Sequence, residues 1–174
     1  YNVFKRMNEY MKEHYPVINV DLPDEITFLT TQELEDLYPN LTPKERENEI
    51  CKKHKAVFIS QIGKELKSGS KHDGRAPDYD DWNLNGDILF WFPILEQALE
   101  VSSMGIRVDK DALLNQLSEL NCESRLKLDF HKKIVNETLP FTIGGGLGQS
   151  RICMFFLNKA HIGEVQSSIW PNEM

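Results

Sequence analysis

Val3, Phe4, Met7 and Met11 recur at helical spacing with Lys, Arg and Glu between them, which predicts an amphipathic helix ending before Pro16. Thr30-Thr31-Gln32-Glu33 has the pattern of a capping box and opens a short helix that stops before Pro39. Thr42-Pro43-Lys44-Glu45 repeats the device with proline at the first helical position, and its helix runs to about His54. Ala56 to Ile62 is β-branched and apolar and reads as a buried strand, while Lys67 to Lys71 is a polar loop. Asp87 to Phe92 reads as a second strand, and Glu100 to Arg107 as a strand segment beyond it. Asp109 then caps a helix with Leu113, Leu114, Leu117 and Leu120 on one face. A further helix covers about Glu123 to Asn136. Phe141 to Ile143 is a short strand before a glycine cluster, after which an apolar helix passes through Met154, Phe155 and Phe156. Strands separated by runs of helices predict a mixed α/β (α+β) domain with a largely antiparallel sheet.

Composition narrows the class. The chain has 174 residues and a net charge of −7, with 27% charged and 40% hydrophobic positions, so disordered and fibrous readings fall away. The longest apolar run, Ile88 to Leu95, is broken by Pro93 and is far below the roughly 20 residues of a membrane span. Cys51, Cys122 and Cys153 are widely spaced and odd in number, which points to reduced thiols and a cytosolic setting. The acidic balance argues against a nucleic-acid binder, which usually shows a basic face. The chain opens at Tyr1, inside the first helix, so it is expected to be part of a longer polypeptide.

Three segments carry candidate chemistry. Gly144-Gly145-Gly146-Leu147-Gly148-Gln149-Ser150-Arg151 sits between a strand and a helix. Glycine lets backbone approach a ligand, and a helix start offers free N–H groups to anions. Arg151 in the first turn opposes the helix dipole, which predicts an anionic or aromatic partner. The second segment is acidic: Asp78, Asp80 and Asp81 within Arg75 to Trp82, followed by Asp87 and Glu100. Asp78 and Asp80 would point the same way in extended chain, and such carboxylates suit an ammonium or magnesium. In the third, Glu100-Val-Ser-Ser-Met-Gly-Ile-Arg107, small Ser102 and Ser103 leave a low surface between an acid and a base. The histidines show no metal-ligand spacing, and only His72 lies near a candidate residue. Cys153 on the apolar helix reads as core, and Trp91, Phe92 and Trp170 as core or interface aromatics.

In this order the three segments resemble the catalytic core of class II aminoacyl-tRNA synthetases. Gly144, Gly146, Gly148 and Arg151 match the Gly-x-Gly-x-Gly-x-x-Arg third motif of that class. Five longer words are similar to one family, ammonia-dependent asparagine synthetase (aspartate–ammonia ligase). They are Arg-Ala-Pro-Asp-Tyr-Asp-Asp-Trp, Leu-Asn-Gly-Asp-Ile-Leu, Ser-Ser-Met-Gly-Ile-Arg-Val-Asp, Ile-Gly-Gly-Gly-Leu-Gly-Gln-Ser-Arg and His-Ile-Gly-Glu-Val-Gln. The family's loop between the words ending at Trp82 and beginning at Leu84 is longer; here only Asn83 intervenes.

The resemblance implies a class II synthetase-like fold, of which residues 1–174 form the C-terminal half of one catalytic domain. It implies asparagine synthesis from aspartate, ATP and ammonia through a β-aspartyl-adenylate, with AMP and pyrophosphate released. Arg151 would act on ATP as the catalytic arginine. Asp87, Glu100, Gly144, Gly146 and Gly148 would also line the ATP site, with Asp87 and Glu100 holding Mg2+. Asp80, Ser102, Ser103 and Arg107 would shape the aspartate pocket. A cytoplasmic homodimer with no tRNA and no membrane partner is expected. The rival readings are an aspartyl- or asparaginyl-tRNA synthetase core and a catalytically dead paralogue used for binding or regulation.

Overall fold

The computed structural model describes residues 1–18, 20, 22–169 and 171; Trp170 lies outside them. Its centre is a five-stranded sheet in the order β1-β2-β3-β4-β5, comprising Thr27–Thr30, Ala56–Ser60, Asp80–Phe92, Gln97–Arg107 and Ile143–Leu147. Only the β1–β2 pair is parallel; β2–β3, β3–β4 and β4–β5 are antiparallel. The sheet is therefore mostly antiparallel, as the pattern predicts.

Helices cover both sides. α1 (Asn2–His14) and α6 (Gln149–Leu157) pack on one face, where Phe4, Phe90, Phe92, Val101, Phe155 and Phe156 form a core. Phe4 meets the edge of Phe90 at 5.1 Å, a favoured aromatic geometry. α2 (Thr31–Leu37) and α3 (Pro43–His54) cover the other face through Leu34, Ile50, Cys51, Val57, Ile59 and Leu89. Alternation along β3 sends Ile88 and Phe90 to the first core and Leu89 to the second. α4 (Lys110–Glu119) and α5 (Asp129–Val135) build a third cluster with Leu113, Leu117 and Ile134.

The capping signals all form as the pattern predicts. Thr30 and Glu33 form a reciprocal box at α2, and Thr42 and Glu45 form one at α3. Asp109 accepts from Ala112 N–H at 2.8 Å, starting α4. Several expectations need correction. β1 carried no usable pattern. β2 ends at Ser60 rather than Ile62, because the chain turns at Gln61 and Gly63, both at positive φ. A side chain at Gly63 would meet the Trp82 ring at 2.7 Å, so this turn requires glycine. The helix expected over 123–136 is split into a 3-10 turn, Glu123–Lys127, and α5. The glycine cluster is itself strand: β5 contains Gly144, Gly145 and Gly146.

Burial also departs from the pattern. Phe4 is buried in α1, but Val3 is 63% and Met7 37% exposed, so only part of the apolar stripe faces the core. Cys153 is exposed, because α6 turns its neighbours Ile152 and Met154 inward instead. Leu120 is exposed beyond the end of α4.

Candidate active site

β3 begins seven residues earlier than the apolar run suggests, and this extension brings the acidic segment into the sheet. Asp80 pairs in register with Arg107, and Asp87 with Ser103. Between these points β3 advances from Asp80 to Asn85 while β4 covers only Gly105 to Arg107, so the segment around Trp82 bulges from the ladder. Gln116 of α4 pins it. Its amide accepts from Trp82 N–H at 2.8 Å and donates to the carbonyls of Pro77 and Asp80 at 2.9 and 3.1 Å.

Strand register assembles one row across the sheet: Ile59, Asp87, Ser103 and Gly146. Since Ile59 belongs to the core beneath α2 and α3, the row lies on that face of the sheet. Glu100, opposite Leu89, shares the face. Ser102 does not. It pairs with Ile88 of the opposite core, is buried, and donates its hydroxyl to Gly146 O at 2.9 Å. Ser102 therefore tethers β4 to β5, and Ser103 alone of the two serines fronts the acidic row.

Along this face run three ion pairs. Arg151 lies 3.3 Å from the Glu100 carboxylate and donates to the Glu100 carbonyl at 3.2 Å, which supplies the anionic partner its position demanded. Arg75 bonds Asp87 and, at 2.7 Å, Asp73. Arg107 bonds Asp80, donates to the Tyr79 hydroxyl at 2.9 Å, and lies 3.9 Å over the Tyr79 ring.

Glycines make room for these groups. A Cβ on Gly105 would strike the Asp80 carboxyl at 2.6 Å, and one on Gly144 would strike the Arg107 guanidinium at 2.2 Å. Among the described residues nothing lies within 4 Å of the position a Gly146 Cβ would take. Gly148 precedes α6 and packs beside Arg151. All four have ordinary backbone angles, so they serve space and not unusual φ values.

The two central acids are strained electrostatically. Burial raises the pKa of Asp87, against the Ser103 hydroxyl and Arg75, which lower it. Burial and then the charge of Asp87 raise the pKa of Glu100, against Arg151, Arg75 and Lys44. Asp78 differs: it bonds Arg125 at 2.8 Å and His131 at 3.0 Å, which hold it below the usual range despite partial burial. Asp78 and Asp80 thus serve different partners, contrary to the reading that they point together. His72 is buried against Glu47 at 2.9 Å and belongs to the packing of α3.

A cavity of about 500 Å3 adjoins the Arg107 end of the face, lined by Tyr79, Arg107, Lys110, Phe130 and Phe141 among others. Along the row itself Ile59 and Asp87 are buried, Ser103 is half-buried, and Gly146 is exposed. Arg75, Tyr79 and Gln116 escaped the sequence reading of the site. Arg75 and Tyr79 stand in the first of the five words, whereas Gln116 carries no local signal.

The fold has relatives among solved structures. An aspartyl-tRNA synthetase from Entamoeba histolytica aligns with a TM-score of 0.62 at 15% identity, over 95% of this chain and 38% of that one. The same organism's asparaginyl-tRNA synthetase in complex with asparaginyl-adenylate gives 0.58 at 16% identity, over 95% and 39%. At this identity the likeness establishes the class II synthetase fold. Sequence comparison goes further. The aspartate--ammonia ligases of Ruminiclostridium cellulolyticum and Clostridium tetani are each 63% identical over all 174 residues. The match spans 52% and 51% of their lengths, so the chain covers about half of these relatives. The aspartate-ammonia ligase family profile matches residues 1–174 throughout, and the chain belongs to that family.

Proposed function

We propose that the protein containing this chain joins ammonia to the side-chain carboxylate of aspartate, using ATP and releasing AMP and pyrophosphate. The observation that carries this reading is the single sheet face on which Arg151–Glu100, Arg75–Asp87 and Arg107–Asp80 follow one another over glycines. Nucleotide chemistry belongs at one end and amino-acid recognition at the other. The chain forms the C-terminal half of the catalytic domain, with the other half completing the site.

At the amino-acid end, Arg107 and Asp80 neutralise one another over Gly105 and Gly144. Aspartate offers the same two charges in reverse: its α-carboxylate suits Arg107 and its α-ammonium suits Asp80. Ser103 bounds the pocket from the row, and Ser102 supports it from behind. At the nucleotide end, Arg151 stacks on the base or pairs with phosphate above Gly146 and Gly148, where a side chain would intrude.

The residues fit magnesium. Oδ1 of Asp87 is buried without a well-formed hydrogen bond among the described residues, the Ser103 hydroxyl lying near the carboxylate, and Glu100 lies close enough for its charge to be felt. Among the described residues no cluster of three or more His, Cys, Asp or Glu side chains gathers for a metal. Two carboxylates are the protein's share, and phosphates and water complete a magnesium shell. Bound there, the ion supplies charge neutralisation on the triphosphate. The protein's own contribution is positioning and electrostatic complementarity along the face.

No helix among the described residues is long and apolar enough to cross a membrane. We place the enzyme in the cytoplasm as a homodimer that needs no tRNA; sedimentation of the whole protein at twice its chain mass checks the assembly. The reading is tested by exchange of labelled pyrophosphate into ATP. Exchange should require aspartate and Mg2+ and proceed without tRNA. Exchange that is absent with aspartate, or that needs tRNA, rejects it.

A further inference from the structure

Each acid of the central pair already carries an arginine. Arg151 is exposed to 49%, and its pair with Glu100 is open to solvent. The Arg75–Asp87 pair is more shielded, at 24% and 8%. Arg75 comes from the connection between β2 and β3, reaches Asp87 with one Nη, and is braced at the other by Asp73 at 2.7 Å. Shielding from water makes this contact less screened than an ordinary surface pair. It also leaves Asp87 with one oxygen under the guanidinium and the other, Oδ1, buried without a well-formed hydrogen bond among the described residues, although the Ser103 hydroxyl lies near the carboxylate. A guanidinium and a divalent cation compete for the same carboxylate, and their like charges repel when both approach it.

Resting on the reading that Asp87 and Glu100 receive a nucleotide-borne metal, we propose that Arg75 is a positioning residue that stands in for the cation while the nucleotide is absent. It holds Asp87 in place and keeps free divalent metal off the acid pair. ATP ends this state from two sides. Its phosphate oxygens complete the coordination that the two carboxylates cannot, and they give the released guanidinium a new anion. Metal then enters with nucleotide instead of before it. A purely structural ion pair would make no such distinction.

The test uses Mn2+ as a paramagnetic probe with the whole protein, free ion being read by electron paramagnetic resonance near neutral pH. Wild type should bind Mn2+ weakly alone and at least about tenfold more tightly with a non-hydrolysable ATP analogue. Arg75→Gln, without the analogue, should bind Mn2+ at least about tenfold more tightly than wild type, and adding Asp87→Asn should remove the gain. Arg75→Lys keeps the charge and should resemble wild type. A folded Arg75→Gln protein with wild-type Mn2+ affinity overturns the proposal. So does wild-type Mn2+ binding that is equally tight with and without the analogue and is lost in Asp87→Asn; this arm decides even if Arg75→Gln fails to fold. Aspartate-dependent pyrophosphate exchange by the same wild-type preparation judges the ligase reading separately. Its absence alongside the expected Mn2+ pattern would reject the ligase while leaving the role of Arg75 intact.

Discussion

Glu100 links a cost in stability to the chemistry proposed for it. Its pKa is raised, first by burial and then by Asp87, so the folded protein holds its proton more tightly than the unfolded chain does. Stability from this group therefore falls as pH rises from about the ordinary value of 4.5 toward the raised folded one, and is level above it. Glu100→Gln removes the titration. It should flatten that part of the pH–stability curve and raise Tm of the nucleotide-free protein at neutral pH. The same variant should depress pyrophosphate exchange and raise its Mg2+ requirement. Unaltered exchange at limiting Mg2+ would remove Glu100 from the metal site. Arg151 is judged by geometry. Lysine keeps its charge but loses the flat face and the fork, so Arg151→Lys should keep the fold and lose at least about tenfold in exchange, or about 1.4 kcal/mol. Near-normal exchange would return Arg151 to a structural partner of Glu100.

At the scale of elements, the strand glycines make contrasting predictions. In Gly144→Ala the new methyl would lie 2.2 Å from Arg107 Nη2, the far end of a flexible side chain. The fold should survive, while displacement of Arg107 raises the aspartate KM at least about tenfold. In Gly146→Ala the methyl enters open space above the sheet, so an effect should appear in the ATP KM and not in stability. Identical kinetic effects of the two would show that the face is not divided as proposed. Gln116→Leu probes the bulged segment from α4. It strands Trp82 N–H and two carbonyls, each worth about 1–3 kcal/mol when buried and unpaired. Tm should fall, and aspartate KM should rise with ATP KM unchanged. These elements differ in how far the sequence disclosed them. Thr30–Glu33 and Thr42–Glu45 were legible because a capping box is local chemistry. β1 was not, because Thr27–Thr30 is four residues long and gains its definition from parallel pairing with β2. The strand pattern begins only at Asp87 and misses the first half of β3, because Asp80 is compensated by Arg107 and Gln116 by backbone far away in sequence. Ser102 and Ser103 looked equivalent; only register turns them to opposite faces.

For the whole molecule, the net charge of −7 conceals its distribution. Arg75, Arg107 and Arg151 share one sheet face, each opposed by a carboxylate, so positive and negative charge are matched along it. Composition could exclude broad classes but could not locate this face. The five sequence words could, because most positions proposed to carry chemistry lie within them; the exceptions are Glu100, which just precedes the third word, and the α4 residue Gln116 that orients the first. The central claim is that the side-chain carboxylate of aspartate is activated by adenylation on this face. Aspartate labelled with 18O in its side-chain carboxylate tests it most directly, with the whole protein, MgATP and ammonia. Attack of a carboxylate oxygen on the α-phosphate, followed by ammonia at the carbonyl carbon, leaves one labelled oxygen on AMP. Label in AMP, accompanied by equal amounts of asparagine and pyrophosphate, is the predicted result. Label in inorganic phosphate with ADP formed, or unlabelled AMP, would contradict the account.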